Sequence, residues 1–141
     1  MGERREGRVL AFQTLYRYEL TAQSPEDLLD FSWLDETHVR RLGGTGEQFA
    51  RLLIAGVLEN LERVDNEIRT QLEHWDFERV HRVDLSVLRL SAYCLLYQET
   101  IPPSVTIDEA VEIARIFGTD ESHRFVNGVL DGMRRRVCEV T

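Results

Sequence analysis

The sequence predicts an all-α domain of six or seven helices packed around one buried helix. Three observations carry that expectation. Apolar residues recur at helical spacing, while strand-like alternation is almost absent. Capping and stop signals cut the chain into helix-length pieces. The stretch 84–98 is apolar nearly all round, as expected of a central helix.

The first helix is expected over Glu3–Leu20, with Val9, Phe12, Tyr16 and Leu20 on one face. Ser24-Pro25 supplies a capping hydroxyl and a proline suited to the first helical position, opening a short helix to about Trp33. Gly43-Gly44 marks a loop. Thr45-x-x-Gln48 reads as a capping box that starts a long helix. Its stripe is Phe49, Leu52, Leu53, Val57, Leu61, Val64, Ile68 and Leu72, with a bend expected near 62–65.

Asp84 begins the central helix, which carries Leu85, Val87, Leu88, Leu90, Ala92, Leu95 and Leu96. Ile101-Pro102-Pro103 ends it, because a residue before proline avoids helical angles. Thr106-x-x-Glu109 is a second capping box, and its helix stops at Gly118, where a left-handed residue is expected. Thr119 and Asp120 then offer acceptors to the first free N–H groups of the last helix. That helix has Phe125, Val126, Val129, Leu130 and Met133 as its stripe and closes on Arg134-Arg135-Arg136, facing the negative end of its dipole. Gly128 in its middle costs about 1 kcal/mol against alanine. A close approach of another backbone is expected to offset that cost. Gly7 weakens the first turn of the opening helix for the same reason.

At 141 residues the chain is expected to be a single domain, 1–141, long enough to bury a real core. With 43% hydrophobic and 30% charged residues it reads as a globular protein rather than a disordered tail. No apolar run approaches the roughly 20 residues that span a bilayer, and the N-terminus lacks the apolar core of a signal peptide. A cytoplasmic location without membrane attachment is the expectation. Cys94 and Cys138 are then free thiols. The histidines at 38, 74, 81 and 123 have no metal-ligand spacing, so no metal or cofactor is expected. The net charge of −8 argues against indiscriminate phosphate binding and leaves room for a local basic patch or a basic partner.

Catalysis finds no support. Asp120, Ser122 and His123 are nearly consecutive at a helix start, so their side chains diverge and cannot form a nucleophile–base pair. Helix capping is their expected job. No glycine-rich phosphate loop, zinc-protease pair or dinucleotide fingerprint is present. No catalytic residue is assigned.

RNA binding has more to rest on. Arg4, Arg5 and Arg8 fall within about one turn of the first helix, Arg17 lies further along, and Tyr16 sits two turns past Arg8. Single-stranded RNA is held by guanidinium contacts to phosphate and by rings beneath bases. The rival reading is a solvated helix end whose arginines Glu3 and Glu6 neutralise, with Tyr16 in the core.

The run Phe117-Gly118-Thr119-Asp120-Glu121-Ser122-His123-Arg124-Phe125-Val126-Asn127-Gly128-Val129-Leu130-Asp131 resembles the C-terminal signature of the NusB family of transcription antitermination factors. Ala11-Phe12-Gln13-Thr14-Leu15-Tyr16, Val87-Leu88-Arg89-Leu90 with Ala92-Tyr93, Ile101-Pro102, and Ile107 to Ala114 extend the likeness over nearly the whole chain, 24–45 apart. The resemblance implies two three-helix bundles sharing a core. It implies binding of the boxA element of ribosomal RNA leaders through Arg4, Arg5, Arg8 and Tyr16, with Arg124, Phe125 and Asn127 as a second part of the RNA surface. It also implies pairing with NusE, a small basic ribosomal protein, near Asp84 and Glu121. Other Nus factors and RNA polymerase would be engaged indirectly. The arginine arm is shorter and less basic than in many relatives, which implies low RNA affinity without a partner.

Two alternatives stay open at this point. One is the NusB-like RNA-binding domain of a ribosomal RNA methyltransferase, against which 141 residues leave no room for a cofactor domain. The other is a helical protein-binding module or a homodimer that hides its arginines.

Overall fold

The structure is a computed structural model that describes residues 2–21, 23–31, 36–73 and 76–138, with backbone alone over 36–43. Its helices are α1 (Glu3–Leu20), α2 (Pro25–Leu29), α3 (Glu36–Glu59), α4 (Leu61–Gln71), α5 (Arg82–Tyr97), α6 (Pro103–Phe117) and α7 (Ser122–Val137), with a 3-10 turn at Phe77–Arg79. No strand forms among the described residues, and none of their helices is long and apolar enough to cross a membrane. The chain divides into two compact units, Met1–Glu59 and Asn60–Thr141.

In the first unit α1 packs along α3, and α2 touches both. α1 keeps its expected bounds, but its buried residues are Gly7, Arg8, Leu10, Ala11, Phe12, Thr14 and Leu15. Leu20 is largely exposed and lies off that face. Ser24 caps α2 as expected, its Oγ accepting from Asp27 N–H at 3.2 Å. The helix stops at Leu29 rather than near Trp33, which lies outside the described residues. Phe31, at φ 56, turns the chain out of helical geometry two residues later. The Arg51 guanidinium covers the Phe31 ring at 4.7 Å and donates to the Leu29 carbonyl, tying this turn to α3.

The expected loop at Gly43-Gly44 does not form, and Thr45 caps nothing: all three lie inside the 24-residue α3. Glycine lowers helix propensity by about 1 kcal/mol but keeps its N–H and C=O in the ladder. Packing of the half that follows outweighs that cost, because Ala50, Leu53, Ile54 and Val57 are completely buried. Leu52, expected in the same stripe, points to solvent at 57% exposure.

In the second unit the bend expected at 62–65 is a full break at Asn60, after which α4 begins. α5 begins at Arg82, two residues before Asp84, and is buried without interruption from Asp84 to Leu95. It packs against α4, α6 and α7, as a central helix should. Arg89 and Asp65 join α5 to α4 through bonds of 2.9 and 3.0 Å. Cys94 is buried, Cys138 half-buried, and neither is in a disulfide.

The Pro102-Pro103 pair opens α6 rather than merely closing α5. Proline has no N–H to leave unsatisfied in a first turn, so Pro103 at the first position replaces the expected Thr106 capping box. Thr106 is buried inside the helix. Gly118 follows α6 with φ −96, an extended rather than left-handed residue. Space, not handedness, calls for glycine: a Cβ there would collide with Ser122 Oγ and lie 2.7 Å from the Ala114 carbonyl oxygen. Ser122 turns its hydroxyl back to accept from Thr119 N–H at 2.9 Å, and Ser122 N–H reaches the Thr119 carbonyl at 3.1 Å. The expected side-chain acceptors at 119 and 120 are thus replaced by a backbone carbonyl, and Glu121 at the cap position makes no side-chain cap bond. Gly128 does not meet another backbone; a Cβ there would touch nothing within 4 Å.

Candidate nucleic-acid interface

The first cationic segment is built by the meeting of α1 with α3. Gly7 has no side chain, which lets the two helices approach until a Cβ at Gly7 would lie 2.7 Å from the Gly46 carbonyl oxygen. Gly46 in turn faces the Glu3 carbonyl, 3.1 Å from its own would-be Cβ. This approach carries the Phe49 ring of α3 to the opening turns of α1. Arg4 and Arg8, four residues apart and so on one face, bring their guanidinium carbons to 5.0 and 5.4 Å from the Phe49 ring centre.

The arginines differ in access. Arg4 and Arg5 are exposed, whereas Arg8 is only 8% exposed. Tyr16 is half-buried, its ring tilted against Phe12 with centroids 6.4 Å apart. Arg5 and Tyr16 are eleven residues apart, three helical turns, and so share a side of α1 about 16 Å apart along the axis. Arg17 donates to Gln23 Oε1 at 2.6 Å, which ties it to the chain beyond the helix. Side chains of the types that can hold a strand of RNA by charge and stacking are therefore present on this unit. The structure gathers Arg4 and Arg8 around one ring and leaves Arg5 beside them.

The second segment is the opening of α7. Arg124, Asn127 and Gly128 are exposed, Phe125 is half-buried, and Val126, Val129, Leu130 and Met133 face the core. The bare Gly128 leaves this outer face low, with backbone open to approach beside a guanidinium and an amide. One turn further, Asp131 accepts from both Arg134 and Arg135 at 2.9 Å. Arg136 reaches Glu67 of α4 at 3.1 Å. Those three arginines are thus engaged with carboxylates as well as with the helix dipole.

The two acidic positions are placed differently from each other. Glu121 is exposed ahead of α7. Asp84 is buried at 6% exposure in the first turn of α5, and its Oδ1 has no hydrogen-bond partner. A buried acceptor without a donor is uncommon and calls for an explanation. Tyr93 is buried on α5 and stacks on Tyr97 at 5.2 Å. No group of three or more His, Cys, Asp or Glu side chains able to hold a metal occurs among the described residues.

Sequence reading missed Phe49 as a neighbour of the arginines, placing it in an ordinary apolar stripe. The available signal was the pair of glycines, Gly7 and Gly46, each inside a helix and each on the side that the other helix approaches.

The NusB family model matches residues 5–135. The transcription antitermination protein NusB of Treponema pallidum (strain Nichols) is 50% identical over 132 residues, covering 94% of this chain and 92% of the relative. That of Geobacter sulfurreducens is 44% identical over 131 residues, 93% of each chain. Among solved structures, T. maritima NusB superposes with a TM-score of 0.83 at 38% identity, covering 97% of both chains. The fold is also that of a chain in the crystal structure of antitermination factors NusB and NusE in complex with dsRNA, with a TM-score of 0.82, 23% identity and coverage of 96% and 98%. With the family match running almost end to end and a relative half identical across the same span, the chain belongs to the NusB family.

Proposed function

We propose that this chain is a transcription antitermination factor that binds single-stranded boxA RNA of ribosomal RNA leaders together with the ribosomal protein NusE. It is an adaptor rather than an enzyme, working in the cytoplasm as one functional unit over 1–141. The observation that carries the reading is the 50% identity, over 94% of this chain, to a protein named for transcription antitermination. A chain of the same fold has been solved in a complex of antitermination factors NusB and NusE with dsRNA, which is in keeping with a NusE partner.

The residues suit the task. Arg4 and Arg5 offer exposed guanidinium groups to phosphates, Arg8 adds charge behind them, and Tyr16 offers a partly open ring. Arg124, Phe125 and Asn127 supply a charge, a ring and an amide at the start of α7. The exposed Glu121 suits a basic protein, and Asp84, buried in the first turn of α5, is the second acidic position assigned to that surface. An acidic chain of net charge −8 repels bare RNA and attracts such a partner. NusE then lowers that repulsion and adds its own contacts, so joint binding exceeds either alone.

The reading is tested by transcription through a terminator placed downstream of a ribosomal leader, with RNA polymerase, NusE and the other Nus factors supplied. Read-through that rises on adding this chain and falls when boxA is scrambled supports it. Read-through indifferent to the chain contradicts it.

A further inference from the structure

Arg4 and Arg8 do not hang free from the first helix. Both lie over one ring, that of Phe49 on α3, at 5.0 and 5.4 Å. These distances fall within the range, about 6 Å, at which the negative face of an aromatic ring attracts a cation. The ring is held there by α3 itself, whose neighbouring residues Ala50, Leu53 and Ile54 are completely buried, and by the backbone contact between Gly7 and Gly46. The attraction of a guanidinium to a ring acts on its charge, and its five N–H donors can still serve phosphate oxygens. Contact with Phe49 and binding to a phosphate are therefore compatible in one side chain. A long arginine otherwise loses rotamer freedom on binding, and a ring that holds it beforehand removes part of that cost.

We infer that Phe49 is a positioning residue of the RNA site: its ring seats the exposed Arg4 guanidinium, with the buried Arg8 beside it, ready to meet a phosphate of single-stranded RNA. This rests on the proposed RNA-binding function. Phe49 need not touch RNA. Arg4 is the exposed member that meets phosphate, and the nearly buried Arg8 shares the ring and adds its field from behind. The pairing also explains two interior helix glycines, since a side chain at either one would push the ring's helix away from the arginines.

The test measures boxA RNA affinity of the full chain with NusE bound, across 50–200 mM salt, for the wild type, Phe49→Leu and Phe49→Tyr. Leucine keeps the apolar bulk and removes the ring; tyrosine keeps the ring. The leucine variant is expected to bind about five-fold or more weakly, the size of one or two such contacts. Its salt slope should stay unchanged because every charge remains, and tyrosine should restore the affinity. NusE affinity should be the same in all three. Wild-type affinity in Phe49→Leu, or a loss that tyrosine fails to restore, overturns the inference. If the wild type itself shows no boxA affinity, the broader reading fails instead and takes this inference with it. Should the leucine variant not fold, NMR of the wild type decides: ring-shifted Arg4 and Arg8 Nε–H signals that move on adding RNA support the assignment, and unshifted, unmoving signals overturn it.

Discussion

Arg89 grips Asp65 with two parallel hydrogen bonds, Nε to Oδ1 at 2.9 Å and Nη2 to Oδ2 at 3.0 Å, between α5 and α4. Both side chains are nearly buried, so neither charge has water to fall back on. Removing either partner takes this two-pronged contact away from a buried charge, at a cost of about 3–5 kcal/mol. Asp65→Ala and Arg89→Ala should each lower the thermal midpoint strongly. Arg89→Lys should rescue little, because an ammonium cannot reproduce the two-pronged contact. A lysine variant that melts like the wild type would show that charge alone suffices.

Two glycines inside helices should respond to alanine in opposite directions. At Gly7 the added methyl meets the Gly46 carbonyl oxygen at 2.7 Å, and backbone must move. Gly7→Ala should destabilise by about 1–3 kcal/mol. At Gly128 the methyl enters open space. Gly128→Ala should stabilise by up to about 1 kcal/mol, the difference in helix propensity. Denaturant melts of the two variants give the signs directly.

Arg4 and Arg5 are the exposed cations of α1. Replacing both by alanine should weaken boxA binding and flatten its salt dependence by roughly 0.7 in log–log slope for each phosphate no longer neutralised. Arg8→Ala should cost stability as well, since its side chain is buried against Phe49. An unaltered slope in the Arg4/Arg5 double variant would remove those arginines from the RNA site.

The two acidic positions should behave differently toward NusE. Glu121 is exposed, so Glu121→Lys should keep the fold and weaken association by charge reversal. Asp84 is buried, with its Oδ1 shut off from the surface, so it can act on NusE only through its charge and not by direct contact. Asp84→Asn keeps its shape and should weaken NusE binding while leaving the melting temperature near that of the wild type. Calorimetric titration of both variants with NusE tests the pair, and wild-type affinity in both would move the interface elsewhere.

Much of the helical plan could be read from the residues. The bounds of α1, the Ser24-Pro25 start and the buried run from Asp84 to Leu95 rest on strong local signals: spacing, a capping hydroxyl, an absent polar face. The failures share a cause. Thr45 and Thr106 have capping chemistry but sit inside helices, because packing of the following residues and an earlier proline settle where those helices begin. Gly118, Gly128 and Gly7 look alike as sequence. One fills a cramped turn, one faces open space, and one lets two backbones touch. Only the neighbours in space tell them apart. The candidate site was legible to a similar degree: its arginines and rings were visible as residue types, while the burial of Arg8 and Asp84 and the ring of Phe49 belong to contacts between distant segments.

The most direct test of joint recognition is a titration of boxA RNA into this chain with and without NusE, repeated over a salt series. The account predicts weak, steeply salt-dependent binding by the chain alone and much tighter binding with NusE present, with both abolished when the boxA sequence is scrambled. Equal affinity with and without NusE, or equal affinity for scrambled RNA, would contradict it.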